Sequence, residues 1–154
     1  MKYFIFLLLL TAVACDDETK VCDQALNTDA HMRFIRDSAG VRRDTTMGDV
    51  TFFALGMDSI YRRQAVSDVF FSLSPVADSS LFYLRVDSLS IPDTITFRYE
   101  RQPHFISPGC GFATFFSLDT VIATHNTIQS LIINQKAITS TTNDTAHITL
   151  YFGI

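Results

Sequence analysis

Ile95-Thr96-Phe97-Arg98-Tyr99-Glu100 alternates apolar and polar residues without a break. A period of two sets one face of an extended chain on a core and the other in water, so this segment reads as a half-buried strand and not as a helix. The pattern returns in Ile148-Thr149-Leu150-Tyr151-Phe152, and in looser form over residues 32–35, 50–55, 69–73 and 81–86. Residues 112–118, 121–124 and 128–133 are apolar and β-branched, which also suits strands. Turn-forming clusters at 37–40, 74–80, 87–93 and 140–144 separate them. The acidic residues agree, because fourteen are Asp and only Glu18 and Glu100 are Glu, and Asp disfavours helix interiors while suiting turns. The expected fold is all-β: an antiparallel β-sandwich of about seven to nine strands, immunoglobulin-like in general architecture. Residues 57–67 are left open between a helical turn and a long loop.

The amino terminus carries a different signal. Lys2 precedes an apolar run over residues 3–10, then Thr11-Ala12-Val13-Ala14, then Cys15. This has the three-part form of a secretory signal and is too short for a permanent membrane span. With Cys15 at the cleavage point it resembles the lipobox of bacterial lipoproteins, in which the thiol is acylated and becomes the mature terminus, although Ala12 stands where Leu, Val or Ile is usual. Ala12-Val13-Ala14 also satisfies ordinary signal peptidase, which would mean simple secretion. The chain has three cysteines, and an exported protein seldom leaves an odd thiol; lipidating Cys15 leaves the pair Cys22 and Cys110. The expected organisation is a signal peptide at 1–14, a lipidated tether at 15–27 and one β-sandwich domain at 28–154. Asp16-Asp17-Glu18 is either a solvated tether or, by resemblance, the signal that sends Bacteroidota lipoproteins to the outer face of the outer membrane. Enterobacterial sorting would instead treat Asp16 as an inner-membrane retention mark, leaving the chain facing the periplasm.

Removing fourteen residues from 154 leaves 140, enough for a single core, with 11 basic against 16 acidic residues and a net charge of minus 5. An acidic chain does not attract phosphate backbones, so no nucleic-acid partner is expected. The fourteen Phe, with no Trp, read as inter-sheet core more simply than as a ligand platform. In an oxidising envelope Cys22 and Cys110 are expected to pair, closing a long loop worth roughly 4 to 5 kcal/mol in the chain-entropy model. The alternative is a reactive Cys110 with His104 as its base.

Ser107-Pro108-Gly109-Cys110-Gly111-Phe112 follows a strand over 94–99 and is followed by an Ile/Val-rich strand and by 147–152; with Ser72-Leu73-Ser74-Pro75-Val76-Ala77-Asp78 it resembles a family of small uncharacterised Bacteroidota outer-membrane lipoproteins. The resemblance runs from about residue 22 to 152. It implies a compact β fold and an envelope address, and brings no catalytic residue.

His31, His104, His125 and His147 are scattered without metal-ligand spacing and read as surface or strand-face residues, and neither a metal nor a cofactor is expected. There is no phosphate loop, nucleophile elbow or zinc-protease helix. One pattern exceeds background: eight of fourteen Asp are followed by Ser or Thr, where composition predicts roughly three. Seven continue into a small or aliphatic residue, with hydroxyls at Ser38, Thr45, Ser59, Ser88, Thr94, Thr120 and Thr145. The triplet resembles the O-glycosylation acceptor of Bacteroidota, and it equally suits Asx and hydroxyl turns. The leading functional expectation is a lipid-anchored, non-enzymatic envelope module that binds an outer-membrane protein or a surface polysaccharide. The other is a small hydrolase or thiol/redox accessory using Cys110 or a His/Asp grouping.

Overall fold

The computed structural model describes residues 22, 26–57, 60–140 and 145–153. Residues 1–14, where a signal peptide is expected, together with Cys15, the acidic run and Ser59, lie outside the described residues. Eleven strands are present among those described, in chain order: β1 (Asp29–Ser38), β2 (Val41–Asp44), β3 (Met47–Ala54), β4 (Tyr61–Val66), β5 (Asp68–Ser72), β6 (Ser79–Arg85), β7 (Asp93–Ser107), β8 (Gly111–Ala123), β9 (Ile128–Ile133), β10 (Ala137–Ile138) and β11 (Ile148–Gly153). They form two sheets that pack as a β-sandwich. The first has the order β2-β1-β11-β9, with β5 on the same side of β1 as β2, and the second the order β10-β8-β7-β6-β3-β4. Every described pairing is antiparallel except β1 with β11, which run parallel with Met32 beside Ile148 and Arg36 beside Phe152.

The period of two becomes the core. Met32 and Phe34 from β1 and Ile148 and Leu150 from β11 face Phe52, Phe82, Leu84, Ile95 and Phe97 of the opposite sheet, all fully enclosed. Phe71, from β5, crosses the interface and meets Phe52, Phe82 and Phe97 with ring centroids 5.1, 4.7 and 5.2 Å away. Such a ring contributes about 1.5 to 3 kcal/mol by leaving water, and each edge-on pair roughly 0.5 to 1.5 more.

The strand count exceeds seven to nine because three strands carry no period-two signature. Residues 61–66 form an edge strand, neither helical turn nor loop: Arg62, Arg63, Gln64 and Ala65 are all exposed, so no alternation survives in the sequence. All four residues of β2 are exposed, and β10 has only two residues. Conversely, 112–118 and 121–124 fuse into one strand, β8, whose register against β7 shifts at Arg98/Tyr99. The short, charged edge β2 and the charged, irregularly paired edge β4 also discourage strand addition by another chain.

Two polar clusters hold the ends. The Tyr99 hydroxyl, on a side chain that is buried, accepts the Ser74 N–H at 3.0 Å, lies 2.6 Å from Ser80 Oγ and donates to the Ser74 carbonyl at 3.2 Å. Asp93, the first residue of β7 and 0% exposed, anchors the crossover from β8 to β9. Its Oδ1 accepts from Thr124 Oγ1 at 2.9 Å and from the Asn126 N–H at 2.6 Å; its Oδ2 accepts from the Thr127 N–H at 2.8 Å, the Ile128 N–H at 3.1 Å and the Thr127 hydroxyl. This fixes a loop in which His125 adopts φ of 58°, a left-handed conformation uncommon for a residue with a Cβ.

Candidate functional site

β7 and β8 outrun their neighbours. β6 pairs with β7 only as far as Arg98, and β10 with β8 only at Phe116 and Ser117. Beyond those pairs the two strands continue as a hairpin through Gln102↔Phe115 and Phe105↔Phe112 to Ser107↔Gly111. Its turn closes with the Cys110 N–H donating to the Ser107 carbonyl at 3.2 Å and Oγ at 3.1 Å, and Gly111 supplies φ of 73°. Cys110 at this tip is disulfide-bonded to Cys22, with Cα atoms 4.7 Å apart. The bridged sulfur has no thiolate to offer a substrate, and His104 stacks on Phe115 with centroids 4.6 Å apart. Phe105 and Phe112 stand in water, 52% and 70% exposed, with rings edge to face at 5.2 Å.

A second cluster was not legible in the sequence. Of the histidines read as surface or strand-face residues, His31 lies in β1 and His147 directly before β11, and each is only 4% exposed. The parallel register that sets Met32 beside Ile148 brings the preceding residues together, and the His31 backbone N–H donates to His147 Nδ1 at 3.0 Å. Spacing along the chain carries no sign of that pairing. Burial, then the neighbouring His31, hold the His147 imidazole below the usual histidine range, partly offset by a hydrogen bond with the Ala137 backbone. His31 Nε2 is 2.8 Å from Asp68 Oδ1, which also accepts from Arg33 Nε at 2.8 Å, and the Ser67 hydroxyl donates to Oδ2 at 2.8 Å. Burial pushes the Asp68 carboxyl up, but the bonds from Arg33, His31 and Ser67 outweigh it and keep the carboxyl below its ordinary range. This His/Asp grouping resembles the base and orienting carboxylate of a hydrolase. It differs in that the serine bonds the carboxylate and not the imidazole, and in that the His31 ring is covered by a stacked Phe70 at 4.3 Å. Among the described residues no group of three or more His, Cys, Asp or Glu could hold a metal ion, and no helix is long and apolar enough to cross a membrane.

The Asp-Ser/Thr positions divide by environment. Ser38, Ser88, Thr120 and Thr145 are exposed, whereas Thr45 and Thr94 are half-buried. At two of the triplets the Asp forms the turn itself: Asp37 Oδ1 accepts the Gly40 N–H at 3.1 Å, and Asp87 Oδ1 accepts the Leu89 N–H at 3.0 Å. Asp93, ahead of Thr94, is the buried anchor described above. Thr120 lies inside β8 and donates its hydroxyl to Asp119 at 3.1 Å.

Residues 49–152, which carry most of β3, β4 to β10, most of β11 and the hairpin tip, match the model of a family of unknown function (DUF6452). No curated protein and no solved structure matches the chain.

Proposed function

Because the chain belongs to DUF6452, a family of unknown function, we propose a role from its own residues: a lipid-anchored, non-enzymatic module of the cell envelope. In this reading Cys15 is acylated, the β-sandwich folds in water beside the membrane, and its loops serve as a binding or accessory surface for an outer-membrane protein or a surface polysaccharide. The observation that carries it is the sequence 2–15, a basic residue and an apolar run ending in small residues and a cysteine. The Cys22–Cys110 disulfide supports it twice over, since such bonds persist in oxidising compartments and since it leaves Cys15 as the single cysteine outside the pair. Acyl chains contribute about 0.8 kcal/mol for each buried methylene, so several chains hold a protein without any spanning helix. Acidic residues directly after Cys15 favour the outer membrane as the destination, facing outward. Exposed hydroxyls at Ser38, Ser88, Thr120 and Thr145 are the stronger O-glycan acceptors, because a glycan needs open space.

The test is fractionation of a Cys15→Ser variant. The parent sediments with membranes after a high-salt wash and the variant is released; a variant that stays with the membranes removes the lipoprotein reading. A thiol/redox role requires Cys110 to be free, so alkylation of Cys110 in the native, unreduced protein would argue for that alternative instead.

A further inference from the structure

We propose that the hairpin tip is a second membrane contact, with Phe105 and Phe112 entering the lipid interface beside the acylated cysteine. This rests on the anchor reading and extends it. Two aromatic rings, 52% and 70% exposed, pair on one face of an arm that no other strand covers among the described residues. Glu100 and Arg101 stand at the base of the arm, and beyond them nothing charged interrupts it, since residues 102–115 contain no Asp, Glu, Lys or Arg, and a charge there would oppose entry into the interface.

The length of chain between anchor and arm determines what lies nearby. Six residues lie between Cys15 and Cys22, so the seven Cα steps reach at most about 25 Å when fully extended, and the disulfide adds a Cα separation of 4.7 Å. The tip is therefore leashed within about 30 Å of the acylated residue. The other end of β7 is not: from Asp93 to Ser107 the strand spans about 45 Å at roughly 3.3 Å per residue, which sets the β6–β7 loop with its exposed Leu89 far from the leash. An apolar element held that close to a bilayer gains by burying its rings about 5 to 10 Å into the boundary between headgroups and acyl chains. Tip and acyl chains then form two attachment points, which fix the orientation of the sandwich on the membrane where a flexible tether alone would not.

The chain has no Trp, so single reporters are clean. Phe105→Trp, Phe112→Trp and, as control, Leu89→Trp are made in the full-length lipidated protein with its disulfide intact. Each is reconstituted into phosphatidylethanolamine/phosphatidylglycerol vesicles with brominated acyl chains, and flotation and Trp emission are read together. The expected result is that all three float and that emission at 105 and 112 is blue-shifted and quenched about threefold or more relative to 89. Flotation with equal quenching at the three positions overturns the proposal and leaves the anchor standing. A blue shift at 105 and 112 without bromine quenching means that protein covers the rings, which also overturns it. Failure of every variant to float overturns the anchor reading, and this inference with it.

Discussion

Asp93→Ala removes the single carboxylate that ends the β8–β9 crossover, and its cost follows from the donors left behind. The parent side chain is fully enclosed, and burial pushes its pKa up; the bonds from Thr127, Asn126 and Thr124 outweigh that and hold it below the ordinary carboxylate range, so it is ionised at neutral pH. Truncation strands three backbone N–H groups, of Asn126, Thr127 and Ile128, together with two hydroxyls. A buried donor without an acceptor costs about 1 to 3 kcal/mol. The hydroxyls can rotate away and Asn126 is exposed, so the sum expected is about 4 kcal/mol and not the arithmetic maximum. Against a total stability of roughly 5 to 15 kcal/mol this is a large fraction. With a urea dependence near 2 kcal/mol per molar, the unfolding midpoint of the disulfide-intact protein should fall by about 2 M. Asp93→Asn keeps one oxygen and presents an amide to the remaining donors, and should lose about half as much. Circular dichroism against urea measures both. An Ala midpoint within about 0.5 M of the parent, or an Asn variant weaker than Ala, would refute the claim that this carboxylate holds the crossover.

Acid should destabilise the fold in two windows. His147 has its folded pKa below the ordinary histidine value of 6.5, so the unfolded chain takes up the proton first; its contribution is complete above 6.5 and is lost as pH falls through the lower folded value. Asp68 and Asp93 lie below 3.8 in the folded state and act likewise at lower pH, their stabilisation present above 3.8 and lost beneath it. Melting temperatures taken from pH 8 to 5 should therefore slope downward below pH 6.5, and His147→Gln should flatten that slope whatever it does to the absolute value; an unchanged slope counts against His147. Native intact mass tests the acceptor reading: Ser38→Ala, Ser88→Ala, Thr120→Ala and Thr145→Ala should each remove a discrete mass if they carry glycans, whereas a native mass equal to the acylated polypeptide leaves only turn chemistry.

The sandwich was legible because its inward faces repeat with a period of two. Ile95, Phe97 and Tyr99 are buried while Arg98 and Glu100 are exposed, and the same rule located β1, β3, β5, β6 and β11, whereas β8 and β9 were found by their apolar, β-branched composition. It failed where a strand has no buried face, as in β2 and β4, because edge strands are specified by backbone pairing to a neighbour and not by their own side chains. The burial and mutual contact of His31 and His147 were not readable for a related reason: both depend on the parallel register of two distant strands. The pairing of Cys22 with Cys110 follows from counting cysteines. The exposed Phe105 and Phe112 could not be told from core Phe by sequence, since Phe112 opens the apolar run 112–118 and nothing in residues 101–107 marks where the sheet's cover ends.

The parallel contact of β1 with β11 also governs the order in which the molecule can assemble. The His31 backbone and the His147 ring that meet there are 116 residues apart in the chain. β1 lies inside its sheet, with β11 on one side and β2 and β5 on the other, so it has no complete set of partners until residues 148–153 are free to dock. Non-local closure of this kind is slow, on the order of milliseconds to seconds. A chain still threaded through a ribosome or a translocation channel at residue 148 holds the sheet open along its middle. The six-stranded sheet needs no residue beyond 138 and can pair while residues 148–153 are still in transit, so it is the sheet around β1 alone whose closure waits for β11.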